Sequence, residues 1–161
     1  MTIAPYHRLV TESGYPLAQV RERVAAAGAR VAPVPGDPPL PLPRGVSYLY
    51  ADGAFYAVHL PTDPAAPVVD NLDHALVERL LLREAFELEP GDKRVVYVGG
   101  DYPVSWLTSE VDAGRADAAI LVAPVSVEDF LAVNLARQKM PRKSTWFTPK
   151  ARAGLVLAEL G

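Results

Sequence analysis

The run MPRKSTWFTPKARAG, from Met140 to Gly154, concentrates the residues best suited to chemistry. With Lys139 just before it, the run brings together Arg142, Lys143, Lys150 and Arg152 and contains no acid. Two hydroxyls, Ser144 and Thr145, follow Arg142 and Lys143 directly, and two aromatics, Trp146 and Phe147, come next. Cations beside small hydroxyl donors suit a phosphate or carboxylate. The net charge of the chain is −3, so this basic island is local. Lys143, Ser144, Thr145 and Lys150 are therefore the candidate anion cradle; a solvated basic loop entering an edge strand is the plainer alternative. A phosphate loop of the Walker type is excluded, because its two glycines spaced ahead of the Lys-Ser are missing.

His7 and Arg8 form the second group. His7 is the candidate acid/base, and Arg8 a further anion ligand. On a strand their side chains point to opposite faces, so an undistorted strand keeps them from serving one ligand. Gly99, Gly100 and Asp101 stand between an expected strand and an expected helix. Backbone amides there suit a phosphate at a helix N-terminus, while a tight turn capped by Asp101 explains the same residues. His59 and His74 read as structural or surface residues. No two histidines have metal-ligand spacing, so no metal site is expected. Asp112 and Asp117 read as turn and cap residues, with Asp117 also placed to order a cation. Trp146 and Phe147 must face opposite ways, one toward the core and one toward whatever cleft the lysines line.

The elements that position these residues are legible from pattern. Ile3 to Thr11, broken by Pro5, reads as an edge strand. Leu17, Val20, Val24 and Ala27 recur at helical spacing up to Gly28. Arg30 to Val34 is a short strand. Pro33 to Gly45 contains six prolines and reads as a rigid connector. Asp52-Gly53 between Val46–Tyr50 and Ala54–Leu60 marks a hairpin. Asn71 or Asp73 is placed to cap a helix running to about Phe86, with a broad face of Leu72, Leu76, Val77, Leu80 and Leu81. Strand Arg94–Val98, a helix through Trp106 and Val111 to Gly114, strand Asp117–Val122 and a helix begun by Ser126 form a βαβα unit, with parallel strands expected. A closing strand is expected over Gly154–Leu160. The fold class is α/β: a single domain over residues 1–161, a mixed β-sheet with packed helices, and the βαβα unit in its C-terminal part.

Composition narrows the function classes. Slight acidity disfavours broad nucleic-acid binding. The absence of cysteine excludes thiolate nucleophiles, disulfides and Cys-based zinc sites. No apolar run approaches the ~20 residues that span a bilayer. The N-terminus lacks the apolar core of a signal peptide, so a cytoplasmic protein is expected.

Several motifs together resemble the C-terminal half of a bacterial and archaeal family known as domain of unknown function 1015. They are Pro5, His7, Arg8, Leu9 and Val10; Val98, Gly99 and Gly100; Val111, Asp112, Gly114, Ala116, Asp117 and Ala119; and Met140, Pro141, Lys143, Ser144, Thr145, Trp146, Phe147, Pro149, Lys150, Gly154 and Leu155. The resemblance covers essentially the whole chain. It departs from the family where an acid is replaced by Leu135 and a proline by Arg142. The family's N-terminal half carries an Asp-Gly-His-His-Arg-Tyr segment similar to the signature of the ParB and sulfiredoxin superfamily, some of whose members bind nucleotides or phosphorylate serine. That segment has no counterpart here, which implies a free-standing half, a truncated piece, or one subunit of a split protein whose partner chain carries the other half. The resemblance implies two alternatives. One is half of a kinase-like phosphotransfer enzyme holding a phosphate or nucleotide. The other is a non-catalytic domain that binds a small anion or a partner chain and completes a split protein. No cofactor is identified.

Overall fold

The structure is a computed structural model that describes residues 2–149; Lys150 and the strand expected over 154–160 lie outside the described residues. The chain runs β1 (Thr2–Ala4), β2 (Tyr6–Val10), α1 (Leu17–Ala26), β3 (Arg30–Val34), β4 (Val46–Ala51) and β5 (Ala54–His59). It continues with a short 3-10 turn (Val68–Asn71) and α2 (Asp73–Val77), which passes directly into π-helix over Glu78–Ala85. Then come β6 (Val95–Gly99), α3 (Val104–Asp112), β7 (Ala118–Leu121), α4 (Val127–Leu135) and β8 (Trp146–Thr148).

Six strands form one sheet in the order β3-β5-β4-β7-β2-β6, and β1 pairs with β8 in a small separate ladder. The α/β class read from the sequence is the observed one. The βαβα unit is present as β6–α3–β7–α4. Its two strands point the same way, since both are antiparallel to β2, but β2 lies between them. Every pairing in the large sheet is therefore antiparallel. The first strand is not at an edge: β2 is flanked by β6 and β7, and the edges are β3 and β6. Its apparent edge signal, Pro5, sits just before β2, where no ladder amide is required. Pro33 does occupy an edge, on β3.

Local chemistry accounts for the boundaries. Asp52 and Gly53 both take positive φ, 49° and 74°, as a two-residue hairpin turn demands. Ser126 caps α4 by accepting the Asp129 N–H at 3.0 Å. Neither residue expected to cap α2 does so. Leu72 holds the N-cap position without a side-chain bond. Asp73 instead accepts the Gly45 N–H at 2.8 Å, and Asn71 bonds back to Asp63.

Alternation along the strands divides the core. One face of the sheet packs Val10, Leu49, Val58 and Ile120 against α1 and the α2 helix, the continuous helix over 73–85 made of α2 and its π-helical continuation, where Leu76, Leu80, Leu81 and Leu82 are buried. The other packs Leu9, Tyr48, Phe55, Val98 and Leu121 against α3 through Leu107. Each fully buried Leu contributes about 1.5–3 kcal/mol through loss of apolar surface to water, so the wide leucine face holds the α2 helix firmly on the sheet.

Candidate functional site

Strand β2 places His7 and Arg8 on opposite faces, and each is buried where it points. His7 pairs with Val98 across the ladder and shares the α3 face. Its Nδ1 accepts the Val122 N–H at 3.2 Å. A ring nitrogen that accepts carries no proton, so the neutral imidazole holds its proton on Nε2. Burial, reinforced by the Arg8 charge, pushes the His7 pKa down to about 4. His7 also lines a cavity of about 360 Å³ with Pro41, Gly100, Tyr102 and Pro124.

Arg8 lies on the other face, wholly buried. Its Nη2 donates to Glu78 Oε1 at 3.1 Å and its Nε reaches the same oxygen at 3.4 Å. Its Nη1 donates to the Tyr6 carbonyl. Tyr97, the cross-strand partner of Arg8, donates its hydroxyl to Glu78 Oε1 at 3.1 Å, and the guanidinium lies 5.1 Å from the Tyr97 ring. Burial lowers the Arg8 pKa and the Glu78 carboxylate opposes that shift. Burial and the Glu78 charge raise the Tyr97 pKa, which keeps its phenol protonated as a donor. Glu78 is the residue the sequence reading missed. It is an ordinary acid on a helix, and only the 70-residue separation closed by the fold pairs it with Arg8.

The basic run reaches this same face through the β1·β8 ladder, which pairs Ala4 with Trp146 and Ile3 with Phe147. Trp146 meets Tyr6 edge-on with ring centroids 5.3 Å apart, and Phe147 meets Phe130 of α4 at 5.6 Å. The two aromatics therefore diverge, as alternation requires. Lys143 is exposed, adopts φ 52°, and holds its Nζ 5.5 Å from the Tyr6 ring centroid. Ser144 is 2% exposed, and its hydroxyl has no hydrogen-bond partner. Thr145 is half-buried beside it. Earlier in the run, Lys139 and Pro141 line a cavity of about 660 Å³ together with Glu78, Arg79 and Arg83 of the α2 helix. The fold thus gathers Arg8, Glu78, Tyr97 and the basic run on one side of the sheet and leaves His7 on the other.

Gly99 and Gly100 form a turn closed by the Tyr102 N–H on the Gly99 carbonyl at 3.1 Å. Close approach explains both glycines. A Cβ on Gly99 would stand 3.0 Å from the Trp146 ring, and one on Gly100 would stand 2.6 Å from Pro5 Cδ. Pro103, not Asp101, holds the N-cap position of α3. Asp112 accepts the Tyr50 hydroxyl at 2.8 Å, which ties the end of α3 to β4, and Asp117 accepts the Ser13 N–H at 2.6 Å, which ties the loop after β2 to the start of β7. His59 is half-buried at the end of β5, whereas His74 is fully buried and neither of its ring nitrogens has a hydrogen-bond partner. Among the described residues no group of three His, Asp or Glu side chains is placed to hold a metal ion. Among them, too, no helix is long and apolar enough to cross a membrane.

These features define an α/β protein with a buried ionic floor under a basic run. No family model matches the chain, and no curated protein matches it in sequence. Its fold is shared with solved structures. A variant of free serine kinase in complex with AMP matches with a TM-score of 0.58 at 12% identity, over 89% of this chain and 52% of that one. A variant of the same kinase in complex with ADP matches with a TM-score of 0.56 at 14% identity, over 90% of this chain and 53% of that one. A conserved hypothetical protein from Pyrococcus furiosus matches with a TM-score of 0.53 at 12% identity, over 89% and 54%. The chain spans about half the length of the structures it matches. At these identities the likeness shows a common fold.

Proposed function

We propose that the chain is the phosphate-binding half of a nucleotide-dependent, kinase-like phosphotransferase, whose other half lies on a separate stretch of polypeptide. The observation that carries this reading is the arrangement on β2. An exposed Lys143 stands over Tyr6 beside the buried Ser144, whose hydroxyl lacks a partner. An unpaired buried hydroxyl costs about 1–3 kcal/mol, a penalty that an incoming phosphate oxygen would remove. The shared fold with a kinase solved with AMP and ADP supports the choice of a nucleotide, and the chain matches about half the length of that kinase. The resemblance to domain of unknown function 1015 belongs to the same reading. Thr145 and Lys150 complete the proposed cradle, and Arg8 acts beneath it through Glu78. Gly99 and Gly100, which let Trp146 and Pro5 close over the strand end, are the proposed amide donors of the cradle. His7, the acid/base candidate, lines the 360 Å³ cavity on the opposite face of the sheet, so an acid/base role for its Nε2 concerns a group that enters there and not the phosphate held in this cradle.

Calorimetric titration with ADP tests this reading. The parent chain binds ADP, and Lys143→Ala weakens binding about tenfold, the equivalent of about 1.4 kcal/mol. A parent chain that takes up neither ADP nor inorganic phosphate would sink it.

A second reading, a non-catalytic domain that completes a split protein, is favoured by α4. Val127, Leu131 and Leu135 recur every four residues and are 56%, 52% and 84% exposed, forming an apolar stripe on one side of the helix. That reading predicts a chain that binds no nucleotide and loses its partner when Leu131 is changed to Glu.

A further inference from the structure

We propose that Glu78 reads the ribose of the bound nucleotide in the 660 Å³ cavity between the α2 helix and the basic run, with Arg79, Arg83 and Lys139 neutralising the phosphate next to the ribose and the Lys143–Ser144 cradle taking the terminal one. This rests on the nucleotide-binding reading above and deepens it by giving the ligand a place and an orientation.

The argument begins with how Glu78 is held. Three donor atoms, Nε and Nη2 of Arg8 and the hydroxyl of Tyr97, converge on one oxygen, Oε1. Arg8 is wholly buried, so a Glu78 side chain that swung away would leave a guanidinium charge unpaired in the interior. The carboxylate is therefore fixed by what lies beneath it. No donor among the described residues reaches Oε2. Glu78 lines the cavity and keeps 21% of its side chain exposed. One oxygen thus anchors the group and the other remains available for a ligand.

A carboxylate oxygen only accepts, so it selects a hydrogen-bond donor. The cavity wall carries three cations against three acids, so an anion is placed by the cations nearest it and not by a net positive charge. Arg79 follows Glu78 on the helix, Arg83 stands one turn further, and Lys139 faces them from the basic run. Arg83 has a loose contact with Glu89 at 3.7 Å between two exposed groups, which a phosphate displaces at little cost. Asp63 and Asp70 also line the cavity, but Asp63 Oδ1 is already turned to the Ala65 N–H at 2.9 Å. A donor and an anion on one small molecule, with the donor read by a carboxylate, is the pattern of a sugar hydroxyl next to a phosphate. The winding of the helix changes from α to π at Glu78 itself. Such widening is rare and recurs at functional sites.

The experiment titrates the parent chain with ADP, 2′-deoxy-ADP, 3′-deoxy-ADP and inorganic pyrophosphate. At least one deoxy analogue binds about tenfold more weakly than ADP, because Glu78 then faces no donor. Glu78→Gln weakens ADP by a similar factor and leaves pyrophosphate unchanged, whereas Arg79→Ala weakens both. If Glu78→Gln fails to fold, the two analogues on the parent chain decide the matter alone. If ADP binds and both deoxy analogues match it, the ribose assignment is wrong while the nucleotide reading stands. If ADP itself does not bind, both readings fall.

Discussion

The Arg8 guanidinium and the Glu78 carboxylate, 70 positions apart in sequence, meet at 3.1 Å beneath the basic run. Arg8 is fully buried, while Glu78 keeps 21% of its side chain in solvent. The pair is therefore asymmetric. Removing the acid strands a charge in the interior, whereas removing the arginine leaves an acid that water can still reach. Glu78→Ala is expected to cost about 3 kcal/mol, near the lower end for a broken buried pair. Replacing both partners by apolar residues, Arg8→Met with Glu78→Leu, recovers most of that loss. Urea denaturation of the three variants checks this, and a Glu78→Ala midpoint equal to the parent's contradicts it.

His7 makes stability depend on pH. Its pKa in the folded protein is about 4, below the ordinary 6.5, because burial disfavours the charged ring and Arg8 repels it. His74 is shifted in the same direction, first by burial and then by Arg8 and His7. Between pH 6.5 and 4 the unfolded chain binds more protons than the folded one, so stability falls as pH falls through that window. The part due to His7 is at most about 3 kcal/mol. His7→Asn retains an acceptor for the Val122 N–H and removes the titration. Its melting temperature should fall less steeply over the same pH range, and parallel curves for the two proteins would refute the assignment.

Gly100 tests the close packing at the end of β6. A Cβ there would stand 2.6 Å from Pro5 Cδ and 2.7 Å from the Pro5 carbonyl oxygen. Backbone and ring cannot both give way, so Gly100→Ala is expected to destabilise by about 1–3 kcal/mol. Thermal denaturation measures it, and an unchanged midpoint means that β1 and β2 shift more freely than this packing allows.

Lys143 separates binding from folding. It occupies the left-handed region at φ 52°, which favours glycine. Its side chain is exposed, so Lys143→Gly should hold stability within about 1 kcal/mol of the parent. The same change removes the ammonium group and should weaken ADP about tenfold. Loss of ADP binding together with a large drop in melting temperature would assign Lys143 a structural role instead.

Much of the frame was legible before any coordinates. Helix α1 ends where Gly28, at φ 101°, was expected to stop it, and the Asp52-Gly53 hairpin and the Ser126 cap are where their residue types place them. These features depend on neighbours within a few positions, so local rules suffice. The alternation that sends His7 and Arg8 to opposite faces was equally readable, because the strand period is two. The α2 caps were misread because Asp73 found a distant partner, the Gly45 amide, in place of its own helix.

Pattern alone was enough for the α/β class, for most of the elements from α1 to α4 and for the basic run as the place where cations gather; it did not separate β1 from β2 or mark β8. Only tertiary structure decided that β2 lies inside the sheet, that β8 carries Lys143 to Tyr6, and that Glu78 stands over Arg8. The reason is physical. A charge can be buried only beside its partner, and which acid meets Arg8 is settled by how leucines across the α2 helix seat it on the sheet, a sum of long-range contacts that no local pattern contains.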